Sequence, residues 1–195
     1  MSRLLILIPI ICMLSACTLG PPSTPQPTPL VTDVDPEEYA LLSAMLDQNL
    51  IGYDPEAPVV ICDQTSPDID QLEFALNGSV DLPEELVQAY RLRNDQPYTL
   101  GPNFTSKRAY ALMPQAEYEA LLRAGSTSGE EFQAKYPGAR GVYTFSRAGL
   151  NAARDEALVS LSYYCGSLCA EGGVFWMVKE DGAWKVKQQL AAWMA

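Results

Sequence analysis

The chain is predicted to fold as an α+β domain, with N-terminal helices packed on a C-terminal antiparallel β-meander. Three observations predict this. Between residues 35 and 136 the apolar side chains recur mostly at helical spacing. From Val142 onward the period changes to two, as in half-buried strands. Asp181-Gly182 then supplies a hairpin turn between alternating segments. Helices first and strands last is the order of an α+β domain, in which helices cover one face of the sheet.

Each element has its own signal. Asp35-Pro36-Glu37-Glu38 reads as a helix start, with Asp as cap, Pro in the first helical position and acids in the first turn. Tyr39, Leu42, Met45 and Leu46 fall on one face, and Asn49 to Gly52 ends the helix. Val59 to Cys62 is a short β-branched strand. Asp68 to Leu76 reads as a short helix and Asn77-Gly78 as a turn. Leu82-Pro83-Glu84-Glu85 opens another helix, with Leu86, Val87 and Tyr90 inward. Ala109 to Met113 is a strand candidate, and Pro114 to Ala124 a helix with Tyr118, Leu121 and Leu122 apolar. Gly129 to Tyr136 is a last short helix, stopped by Pro137-Gly138. The meander strands are then Val142–Ser146, Glu156–Cys165, Val174–Val178 and a strand beginning at Trp184. Cone-shaped folds of the cystatin and nuclear-transport-factor kinds share this layout, an analogy of architecture that carries no function.

The N-terminus has a separate logic. Arg3 is the only charge before Asp33, and Leu4 to Leu14 is an apolar run of signal-peptide length. It is shorter than the roughly 20 apolar residues a spanning helix needs. Leu14-Ser15-Ala16-Cys17 resembles the lipobox of bacterial lipoproteins. The resemblance implies that residues 1–16 are removed and that Cys17, its thiol bearing a diacylglyceryl group, becomes the mature terminus. The protein is then tethered to a membrane of the bacterial envelope without spanning it. By the same resemblance Thr18, not being Asp, directs a Gram-negative host to sort it to the outer membrane. Residues 17–34 carry five prolines among Ser, Thr and Gln and read as a semi-rigid spacer. Residues 35–195 form one domain.

Composition narrows the chemistry. The net charge is −11, which argues against nucleic acid as a partner. There is no histidine. That excludes Ser-His-Asp and Cys-His nucleophilic sites and His-ligated metals. The sequence calls for no cofactor and no metal.

Three further constellations bear on function. Cys62, Cys165 and Cys169 are the thiols beyond the lipidated one. In an oxidising envelope two of them pair. A Cys165–Cys169 bridge at a hairpin tip is the expected pair, with Cys62–Cys165 as the longer alternative. The paired acids Glu37-Glu38, Glu84-Glu85 and Glu130-Glu131 each fall in the first turn of a predicted helix, where they offset the dipole. Asp63, Asp68, Asp70 and Glu73 form a looser acidic group without the spacing of a calcium loop.

Ser146, Arg147 and Asn151 are the nominated ligand-binding residues. On one reading Arg147 pairs with Asp155 or Glu156 and Asn151 holds a turn. On the other, Arg147 faces a cleft and grips a carboxylate or phosphate in bidentate fashion, with Trp176, Trp184 and Trp193 lining the pocket. The segments Phe145–Asn151, Ala157-Leu158-Val159, Cys165–Cys169 and Trp184-Lys185-Val186 together resemble an uncharacterised family of bacterial exported proteins. That family pairs a Ser-Arg-x-Gly-Phe-Asn segment with a Cys-Gly-x-x-Cys-Gly hairpin and a closing tryptophan strand. The resemblance covers about the last third of the chain. Leu150 stands in place of Phe and Ala170 in place of Gly. It implies a fold and no activity. The expected function is a non-enzymatic binding or interaction domain for an envelope protein or small molecule. The alternative is a small carboxylate-dependent enzyme acting on envelope glycans.

Overall fold

The computed structural model describes residues 34–195 apart from Tyr53, Pro67, Asp68 and Ser79. Residues 1–33, which include the expected signal peptide, the expected lipidation site Cys17 and the spacer before Val34, lie outside the described residues. The elements are α1 (Pro36–Asp47), β1 (Val59–Cys62), α2 (Ile69–Asn77), α3 (Glu84–Arg93), β2 (Tyr110–Met113), α4 (Gln115–Ala124), α5 (Glu130–Lys135), β3 (Val142–Phe145), β4 (Gly149–Leu150), β5 (Glu156–Gly166), β6 (Cys169–Glu180) and β7 (Ala183–Met194).

The layout is α+β, with an antiparallel, strand-rich C-terminal half. β3, β5, β6 and β7 pair antiparallel in that order, and β4 adds a short pair on β5. Two features differ from the sequence expectation. β1 and β2 join the same sheet in parallel, giving the order β2-β1-β3-β5-β6-β7. Helices cross over from β1 to β2 and from β2 to β3, and such crossovers are what parallel pairing requires. Helices also cover both faces rather than one. Side chains alternate along each strand, so the longer strands feed two cores. On one face α1 packs Leu41, Leu42, Met45 and Leu46 against Ile61, Phe145, Val159 and Phe175. On the other face α2 and α3 bury Leu72, Leu86 and Tyr90 on Leu158 and Val174. Beside them α5 and its C-terminal cap set Phe132 and Tyr136 on Val60, Cys62 and Val142.

α1 starts as its sequence predicts. Asp35 caps it by accepting from the Glu38 amide at 3.0 Å. Its C-terminal cap, Gln48, reaches the outer edge of β7. The Gln48 amide donates to the Trp184 carbonyl at 3.2 Å and accepts from the Val186 amide at 3.3 Å. β7 departs from straight pairing with β6 twice. The register steps from Val174↔Ala191 to Phe175↔Gln189 and from Trp176↔Gln188 to Met177↔Val186. Leu190 and Lys187 are therefore bulged residues, which bend and twist the edge.

The first-turn acids of α1 do more than offset a dipole. Glu37 accepts from Lys179 Nζ at 2.9 Å and from the Trp184 indole N–H at 2.6 Å. Trp184 is thus a core residue pinned by a carboxylate. Burial works to raise the Glu37 and Asp35 carboxyl pKa values. The hydrogen bonds and charges of Lys179 and Trp184 at Glu37, and of Arg154 at Asp35, outweigh it and hold both below the ordinary range. A carboxyl depressed in the folded state stabilises above its unfolded pKa, and that stability is lost as pH falls through the folded value. The melting temperature is therefore expected to hold steady from neutral pH downward and to fall once pH drops below about 4. The variant Asp35→Asn/Glu37→Gln should show a shallower fall in a pH series of thermal melts. An unchanged slope would remove these two groups from the acid transition.

Candidate functional site

The three nominated residues do not converge on a cleft. Arg147 is buried, and its partner is Glu38 rather than Asp155 or Glu156. Arg147 Nε donates to Glu38 Oε1 at 2.8 Å and Nη2 to Oε2 at 2.8 Å. The Ala148 amide donates to the same Oε1 at 2.7 Å, and Arg93 Nη2 to Oε2 at 2.7 Å. Asn94 clamps the backbone at this point, accepting from the Arg147 amide at 2.8 Å and donating to its carbonyl at 2.9 Å. The Tyr98 ring lies 4.4 Å from the guanidinium carbon, a cation–π contact. Burial opposes the charge on Arg147, but the Glu38 carboxylate outweighs it and raises the pKa.

Ser146 lies beneath this network, donating to the Arg147 carbonyl at 3.0 Å and accepting from the Ser160 amide at 2.8 Å. Asn151 holds the turn into β5. It accepts from the Asp155 and Glu156 amides and donates to the Asp155 carboxylate. The carboxylate of Glu156 takes Lys187. The constellation ties α1, α3 and the β3–β4 connection together.

The other sequence candidates fall at separate places. Cys165 and Cys169 form a disulfide at the β5–β6 hairpin tip, with Cα atoms 5.1 Å apart. Cys62 is free and buried; its thiol donates to Gln115 Oε1 at 2.9 Å, and burial pushes its pKa up to about 11. A thiol that stays protonated and buried is inert. Thiol titration of the folded chain is therefore expected to find no fast-reacting Cys62 and to release it only with denaturant. Peptide mapping under non-reducing conditions should return the Cys165–Cys169 link, and a crosslink involving Cys62 would contradict the arrangement. Asp63 caps α4 by accepting from the Gln115 amide, and Glu73 pairs with Arg91 across α2 and α3. Asp63 and Glu73 of the acidic group read from the sequence thus serve separate elements, and Asp68 lies outside the described residues. Trp176 and Trp193 are half-buried on β6 and β7, away from the β3–β4 connection that carries Arg147.

A concavity lies elsewhere, between α4 and α5. Its volume is about 710 Å³, within the usual range for ligand pockets of roughly 300–1,000 Å³. Glu117, Ala120, Leu121 and Ala124 line one wall at the spacing i, i+3, i+4, i+7 of a single helix face. Phe132 and Met113 are buried in its floor. Ala120 and Ala124 are exposed, and α4 has no fully buried residue. Leu122, one of the apolar residues of this helix, is 43% exposed. The short side chains of the alanines leave the groove open where longer ones would close it. The polar rim is Glu117, Glu131 and Lys135, with Lys135 paired to Glu117.

This rim has little of the chemistry of an acid–base site. A catalytic carboxylic acid is kept protonated by burial away from cations. Glu131 is exposed, and Glu117 is neutralised by a lysine. Among the described residues the one buried carboxylate, Glu38, is clamped by two arginines outside the groove. Sequence reading misses the groove because its signal is a stripe of small residues on α4, which hydropathy scores weakly. Comparison with protein-family models, curated proteins and solved structures returns no match to this chain.

Proposed function

We propose that this is a non-catalytic binding domain, held at a bacterial envelope membrane by lipid on Cys17 and taking its ligand in the groove between α4 and α5. The observation that carries the reading is the groove: an apolar floor of Met113 and Phe132, walls of small side chains, and a thin polar rim. An apolar floor favours burial of an apolar ligand by about 25 cal/mol per Å² removed from water. The few rim charges serve to orient it.

The test uses an environment-sensitive apolar dye, anilinonaphthalene sulfonate, with the purified chain. Dye fluorescence is expected to rise and saturate near one dye per chain. Ala120→Trp fills the groove from an exposed position and should abolish the rise while leaving the melting temperature unchanged. Saturation that ignores Ala120→Trp would remove the groove from consideration. The anchor is tested separately. Cys17→Ser expressed in a bacterial host should move the protein from the membrane to the soluble fraction and remove the acyl mass. Continued pelleting with membranes after a carbonate wash would contradict the lipid anchor.

A further inference from the structure

We infer that the natural occupant of this groove is a segment of a partner protein, bearing apolar side chains and at least one basic residue, that continues out of the groove onto the β5–β6 hairpin tip. The inference rests on the groove being the binding site and adds the class of ligand and a second contact.

The tip is attached to one end of the groove. Ser126, between α4 and α5, lines the groove and forms a bridge with Gly166. The Ser167 amide donates to the Gly125 carbonyl at 3.1 Å. Thr127 Oγ1 donates to the Cys165 carbonyl at 2.8 Å, fixing the base of the hairpin to the same turn. At the tip Leu168 is 93% exposed, the most exposed large apolar side chain among the described residues.

A leucine held out in this way is not placed by folding, since it contacts little of its own domain. It sits on a turn that the Cys165–Cys169 bond stiffens. A disulfide closing so small a loop removes little entropy from the unfolded chain compared with a long-range one. Its main effect is local, keeping the tip in one shape before anything binds. Pre-ordering of that kind lowers the entropy lost on association. A small molecule enclosed between α4 and α5 would leave Leu168 untouched, whereas a peptide crossing the groove end reaches it.

Charge sets the sign of the partner. Lys135 is taken by Glu117, while Glu131 at the rim forms no ion pair among the described residues. The chain as a whole is at −11. A basic residue on the partner is the complement, and the same sign steers its approach. It also disfavours anionic lipid as the surface that Leu168 meets.

The experiment measures fluorescence anisotropy of two labelled synthetic peptides with the full chain, one of leucine and lysine and one of leucine and glutamate. The leucine–lysine peptide is expected to bind and the leucine–glutamate peptide not. Leu168→Asp and Ala124→Trp, both at exposed positions, should each weaken binding about tenfold or more, as loss of an interface anchor does. Their melting temperatures should match the parent. Reduction with dithiothreitol should weaken binding several-fold, chiefly by faster dissociation. Each of three results would overturn the inference. One is equal binding of both peptides, or of neither. Another is a Leu168→Asp chain that binds the peptide normally. The third is a Leu168→Asp chain that keeps the peptide but loses cosedimentation with phosphatidylcholine vesicles, which makes the tip a lipid contact. In all three, dye binding that still responds to Ala120→Trp leaves the groove standing as a site for something else.

Discussion

Arg147→Ala is expected to lower the stability of the domain by about 3–5 kcal/mol, the range for removing one partner of a buried ion pair. Glu38 has no exposed surface and, among the described residues, keeps Arg93 and the Ala148 amide once Arg147 is gone. Arg93 is itself 30% exposed in its side chain, so it shields Glu38 poorly from the cost of burial. Urea titration reads the loss as a lower midpoint at unchanged slope. Arg147→Lys should recover little, because one ammonium cannot span both carboxylate oxygens as the guanidinium does. The double variant Glu38→Gln/Arg147→Met should lose less than Arg147→Ala alone, since no buried charge is then left unpaired. A loss below about 1 kcal/mol for Arg147→Ala would place the pair among surface bridges in its energetics.

Gly149→Ala should be comparably damaging for a different reason. By sequence alone the small Ala148-Gly149 pair is one that lets the chain bend sharply. The structure gives Gly149 a steric task instead. A Cβ there would overlap the backbone N and Cα of Tyr90 in α3 and crowd its Cβ. These are main-chain atoms of a packed helix, so nothing nearby yields cheaply. Overpacking of this kind costs about 1–3 kcal/mol, and more when backbone must move. Because α3 is displaced, the Tyr90 hydroxyl contact with Ser160 Oγ should loosen as well. A thermal melt reads the loss and near-ultraviolet circular dichroism reads the displaced tyrosine. A wild-type melt for Gly149→Ala would mean that α3 does not rest on β4 as described.

The meander, the helix starts and the hairpin disulfide are legible in the sequence because each is local. Alternation in Glu156–Cys165, the Asp35 cap and the Cys165–Cys169 spacing need no knowledge of distant residues. The parallel edge is less legible. Val59-Val60-Ile61-Cys62 is apolar throughout, as a strand buried on both faces is, and β1 is buried along its whole length. The partner of Arg147 is not legible at all. Glu38 lies 109 residues away and sits where a solvated first-turn acid normally does. Its burial follows from how α1, α3 and β4 meet, which local pattern does not encode. The groove escapes for the reason given by Ala120 and Ala124: a cavity is made by what side chains fail to fill.

The amide of Gln48 has a consequence for how many copies of the protein can crowd together. Copies tethered side by side on a membrane, as proposed, would meet at concentrations far above those in solution. A twelve-residue border strand with free main-chain groups would then recruit its neighbours into a growing ribbon. Gln48 supplies a false neighbour at Trp184 and Val186, and the bulges at Lys187 and Leu190 bend the rest out of line. The border opposite is β2, only four residues long. If the protein is tethered as proposed, the two borders together would let it be abundant on one surface without turning that surface into a fibre.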